Sequence, residues 1–158
     1  MTYGWSKGET VKNVGGFMTN LIDTIVYAGR LKNKSNLMNS SSGGAFTALS
    51  DYFMESGNAV VAAVYNYKNH TTEFQVVLDV EQRDKAIGSK YMQSKPGKIY
   101  KTAEDWLKIH PEKKLLFVGM GCQADGFRKF AEIKGFRERV WIVDIICHGS
   151  PSPKLWKE

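Results

Sequence analysis

Among its 158 residues the chain has only two cysteines, Cys122 and Cys147, and four prolines. Two thiols exclude a disulfide-rich secreted scaffold, and they exclude a complete four-cysteine zinc or iron-sulfur site made by this chain alone. Long apolar runs are missing as well. The longest, AVVAAVY at 59–65, falls far short of the ~20 residues of a membrane span. The N-terminus lacks the basic head and apolar stretch of a signal peptide. Although 22 Lys and Arg outnumber 16 Asp and Glu, giving a net charge of +6, no unbroken basic run occurs. Scattered positive charge reads as a solvated surface, with neither membrane nor nucleic acid as the expected partner. These absences point to the cytoplasm, where free thiols stay reduced.

What is present suits one globular domain: 42% of residues are hydrophobic and 24% charged, and a chain this long buries roughly 70% of its unfolded surface. Residues 1–39 read as a helical or variable N-terminal segment. In it Phe17, Leu21, Ile22, Ile25 and Ala28 are spaced as one face of a helix ending at Gly29, and a polar loop follows to Ser42. Ser40, Ser41 and Ser42 then offer an N-cap to a second helix, with Phe46, Leu49, Tyr52 and Phe53 inward and Gly57 as its stop. Residues 58–66 and 73–80 read as a hairpin of strands, 99–109 as a helix halted by Pro111, and 114–118 and 140–146 as strands flanking a helix over 122–134. Strand, a dozen helical residues, strand marks a parallel crossover unit. The fold class is therefore α/β or α+β, a mixed sheet with a crossover unit near the C-terminus and helices packed on it.

In such a unit Cys122 follows one strand and Cys147 the next, so both thiols are expected along the sheet edge where open α/β sheets bind ligands. Cys122 also opens a helix, a position that favours a thiolate, and His148 adjoins Cys147. Small buried hydrophobes are the alternative reading of two free cysteines. Two glycine-bearing loops suit an anion. Ser40 to Gly44 (SSSGG) precedes a helix, and GSKYMQS at 88–94 combines a glycine, hydroxyls, a cation, an aromatic ring and an amide. A plain helix cap and a solvated loop are the alternatives. Gly119, Gly121 and Ala124, with Asp144 at the end of the next strand, also satisfy a loose dinucleotide fingerprint.

Four segments together resemble the beta-subunit family of coenzyme F420 hydrogenases and dehydrogenases: SSSGGAFTAL at 40–49, GSKYMQS at 88–94, LLFVGMGCQ at 115–123, and DIICHGSPSPKLW at 144–156. The resemblance implies an electron-transfer oxidoreductase that binds FAD and a [4Fe-4S] cluster. Cys122 and Cys147 match cysteines expected to ligate the cluster. Ser42, Gly43, Gly44, Ser89, Lys90, Tyr91, Gln93 and His148 match stretches expected to shape the cofactor site. A redox partner protein, such as a ferredoxin or a hydrogenase or dehydrogenase subunit, and a deazaflavin or other two-electron carrier are implied as partners. The family's usual Gly-Thr-Pro-Cys-Gln reads Gly119-Met120-Gly121-Cys122-Gln123 here, and its N-terminal ferredoxin-like cysteine clusters are absent. Residues 40–158 are thus expected to form the N-terminal part of the family domain, incomplete at the C-terminus, with further cluster ligands supplied from outside. A non-catalytic fragment or assembly piece is the alternative, and a Rossmann-like dinucleotide-binding domain a weaker one.

Overall fold

The computed structural model describes residues 5–7, 27–152 and 154–155. A short antiparallel pair joins β1 (Trp5–Lys7) to β2 (Tyr27–Gly29). The helix expected up to Gly29 lies mostly outside the described residues, and its last three are this strand instead, with backbone groups satisfied across the pair. The polar stretch after it is not all loop. It holds a short helix, α1 (Lys34–Met38), whose first turn is capped by the Asn33 side chain accepting from Asn36 N–H at 3.0 Å.

The main body is a mixed four-stranded sheet in the order β4-β3-β5-β6. Helix α2 (Ala45–Glu55) leads into β3 (Ala59–Asn66), which turns back as β4 (Thr71–Val77) in an antiparallel hairpin. Helices α3 (Val80–Ala86) and α4 (Ile99–Ile109) follow, then β5 (Leu115–Met120), α5 (Gly121–Ile133) and β6 (Val140–Ile145). Strands β3, β5 and β6 run parallel, with Gly119 opposite Asp144 and Met120 opposite Ile145. The mixed sheet, its crossover unit and the helices packed on it are as the sequence implied.

Alternation along the strands divides the core between two faces. Ala59, Val61, Phe74, Leu115 and Phe117 meet Ile99, Ala103 and Leu107 of α4 and Phe127 and Ala131 of α5. Val60, Ala62, Val64, Val77, Leu116 and Val118 meet Phe53 of α2 and Ala86 of α3. On α2, Phe53 is buried and Phe46 and Leu49 pack partly buried against the same cluster, as expected, whereas Tyr52 is 62% exposed and Thr47, Ala48, Ser50 and Asp51 turn inward as well. The reason is Asp51, whose carboxylate is drawn inward to Arg83 of α3 at 2.7 Å. Among the described residues no helix is long and apolar enough to cross a membrane.

Candidate functional site

Parallel direction puts the carboxyl ends of β3, β5 and β6 on one edge. Helices α2 and α4 each descend into the start of a strand, and α5 begins where β5 ends, so the N-termini of all three face the same edge. Their unsatisfied amides make it electropositive without any charged side chain.

The four sequence segments meet there through specific hydrogen bonds. Ser41 Oγ accepts from Ser89 N–H at 2.9 Å, joining the serine-glycine turn to the 88–94 loop. Gln93 N–H donates to the Pro151 carbonyl at 3.4 Å, joining that loop to the segment after Cys147. Gln123 Nε2 donates to Ser94 Oγ at 2.9 Å and to the Ser94 carbonyl at 3.1 Å, joining it to the cysteine turn.

The expected serine cap on α2 is replaced by Gly44, in the left-handed region at φ 81°, with no side chain capping the helix. Ser40 Oγ instead donates to the Asn36 carbonyl at 2.8 Å, and Ser41 is engaged by the other loop. Ser42 is exposed. Gly43 is required by packing, because a Cβ there would run into the Gly29 carbonyl oxygen, and Gly44 by its left-handed backbone, where a Cβ would also press on the Leu31 side chain. The 88–94 loop is anchored through buried Met92 and Ser94, while Ser89 and Gln93 are exposed and Tyr91 stands 77% exposed. Lys90, expected to offer its charge to a ligand, turns back on α3, where Nζ donates to the Ala86 carbonyl and, at 3.1 Å, to that of Ile87. Burial without a counter-charge lowers its pKa to about 8.

Cys122 lies in the first turn of α5 and Cys147 two residues beyond β6, both exposed. Since Met120 pairs with Ile145, each cysteine follows the paired strand ends by two residues. Cys147 Sγ donates to Met120 Sδ at 3.5 Å and accepts from Gly149 N–H at 3.3 Å. Tyr100 OH donates to the Gln123 carbonyl at 2.9 Å, and its pKa is raised by burial and, less, by the Cys122 charge. His148 is exposed.

Tests of fit give different answers for the two implied cofactors. A phosphate-bearing flavin is matched by the uncapped α2 N-terminus, by Gly88, with open space where a Cβ would stand, and by the buried Ser150 Oγ, which has no partner among the described residues. An iron-sulfur cluster is matched only in half, because among the described residues no three His, Cys, Asp or Glu converge. The dinucleotide fingerprint has a packing explanation: a Cβ on Gly119 would stand 2.8 Å from the Phe117 ring, and one on Gly121 would stand 3.3 Å from the Asp144 carboxylate.

Residues 26–99 match the family model for the N-terminal part of the coenzyme F420 hydrogenase/dehydrogenase beta subunit, and residues 112–158 match the model for its C-terminal part. The chain belongs to this beta-subunit family. Among solved structures, its fold is similar to a chain of the F420-reducing [NiFe] hydrogenase complex from Methanosarcina barkeri, with a TM-score of 0.67 and 24% identity. That match covers 81% of this chain and 45% of the other, so this family member spans under half the length of its structural neighbour. No curated protein matches the chain. The bonds made by Ser41, Ser94 and Gln123, and the buried position of Ser150, are not visible in the sequence. All four residues lie in matched segments, and the burial of Ser94 and Gln123 and the partners of Ser41, Ser94 and Gln123 emerge only from the fold.

Proposed function

We propose that the chain is the flavin-facing part of an electron-transfer beta subunit, and that its carboxyl sheet edge holds FAD and lends two ligands to a [4Fe-4S] cluster. When bound, the flavin supplies a carrier that exchanges two electrons with a substrate and one with a cluster. The serine-glycine turn ahead of α2 and the 88–94 loop offer amides and hydroxyls to the phosphates. Tyr91 offers a ring face to the isoalloxazine. Cys122 and Cys147 each follow the paired ends of neighbouring strands β5 and β6 by two residues and would lend thiolates to a shared cluster, whose remaining ligands come from outside residues 1–158. His148 belongs to the same edge as a hydrogen-bonding group. Electrons arrive from a redox protein, a ferredoxin or hydrogenase subunit, and leave to a deazaflavin or another two-electron carrier, in the cytoplasm. Residues 40–158 carry all of this.

The observation that carries the reading is the convergence of four distant segments through the Ser41–Ser89, Gln93–Pro151 and Ser94–Gln123 contacts. The test is anaerobic reconstitution with FAD, ferrous iron and sulfide. Flavin retained through gel filtration is expected, with iron retained once the missing ligands are supplied by a partner. Loss of all flavin would sink the reading. A second reading, a non-catalytic assembly piece, is favoured by the two-thiol limit and predicts iron binding in no reconstitution.

A further inference from the structure

We propose that Gln123 is the positioning residue that sets the Tyr91-bearing loop against the cysteine turn, fixing the two ends of the electron path relative to each other. This rests on the reading of the edge given above.

The residue is 8% exposed, and its partner Ser94 6%. Its Oε1 accepts from Met120 N–H at 3.2 Å, at the mouth of α5, one turn before its own position. Its Nε2 donates twice, to the Ser94 carbonyl and to Ser94 Oγ, across 29 residues of sequence. The next residue continues the tie, with Lys95 N–H donating to the Thr72 carbonyl at 2.8 Å. The Gln123 carbonyl is held separately by Tyr100 OH. Only a carboxamide supplies one acceptor and two donors from a single planar group. Because both N–H groups are committed to Ser94, the amide has no donor left for a cofactor. Its role is to hold the loop. Cys122 is the residue before it and Tyr91 lies three before Ser94, so a shift of this one side chain moves both.

Two variants of the full chain, without cofactor, test the assignment by amide hydrogen exchange. Gln123→Leu is expected to lower protection of residues 88–95 about tenfold or more, the effect of losing two modest hydrogen bonds, while β3 and β5 keep theirs. Gln123→Glu keeps the acceptor for Met120 and, ionised, cannot donate. Protection corrected for intrinsic exchange is expected to fall at about pH 7.5 and to recover in part at about pH 4, below the ordinary glutamate pKa, where the carboxyl gains the one proton it can donate. Unchanged protection in Gln123→Leu overturns the proposal. So does a loss in Gln123→Glu that does not vary with pH, which would mark a packing defect. Neither readout involves flavin, so failure to bind FAD and failure of this inference are told apart.

Discussion

The two faces of the sheet are closed by different chemistry. Toward α4 and α5 the contact is aromatic: Phe117 stacks on Phe127 with ring centroids 4.5 Å apart and on Phe74 at 5.3 Å, and Tyr100 packs beside them. Toward α2 and α3 the strands present small residues, Val60, Ala62 and Val118 among them. The gap there is crossed by a buried ion pair, Asp51 with Arg83. At the outer strand this face stays open, with Trp141 56% exposed and only edge-on to Phe53. Apolar burial is strong and non-directional, whereas an ion pair is directional and brings little net stability. The aromatic face therefore carries the stability and anchors α5 with its cysteine. The polar face sets where α2 and α3, and the loops that begin or end on them, stand.

The sharpest way to break this division is Phe117→Ala. Removing a ring buried between two others is expected to cost about 3–5 kcal/mol, read from the denaturant midpoint at constant slope. A loss below about 1 kcal/mol, the cost of an ordinary single substitution, would mean that the aromatic face does not dominate.

A smaller effect tests the other face. Arg83→Met leaves the Asp51 carboxylate buried and unpaired, at a cost of about 3 kcal/mol, whereas Asp51→Leu with Arg83→Met is expected to restore most of that stability. Burial already raises the Asp51 pKa, and Arg83 offsets only part of that rise. If the double variant binds FAD as tightly as the parent, the pair contributes neither net stability nor loop position. A stable double variant with weakened flavin binding would assign it the positioning role.

The same contrast explains what could be read from sequence. Helix α4 was legible to the residue because its apolar spacing is amphipathic and Pro111 follows shortly after. The β5-α5-β6 unit was legible because short apolar runs bracket a helical period. Helix α3 was missed, since Val80 extends the apolar run of β4, and only the Asp79 side chain, accepting from Gln82 N–H at 2.8 Å, marks the start. The inward turn of Asp51 was missed because its reason lies 32 residues away at Arg83. In the site, motifs gave the segments but not their bonds. Ser41 and Ser89 are 48 residues apart, and nothing local distinguishes them from solvated hydroxyls. Lys90 looked like a ligand cation because sequence carries no sign that its ammonium returns to the end of its own preceding helix.

Lys90 provides the finest test, because it lies where the polar face meets the edge. Burial lowers its pKa from 10.5 to about 8. Below about pH 8 folded and unfolded chains both hold the proton, and the desolvation cost of the ammonium is present in full. Between about 8 and 10.5 the unfolded chain keeps a proton that the folded chain has released, so stability rises with pH through this window. Lys90→Met removes that slope and leaves the Ala86 and Ile87 carbonyls without their side-chain donor. Urea midpoints from pH 7 to pH 10 are expected to climb in the parent relative to the variant. A constant difference across the range would mean that the ammonium is as well solvated as a surface lysine. The end of α3 would then be open to water, and the 88–94 loop would lean on Ser41, Pro151 and Gln123 alone.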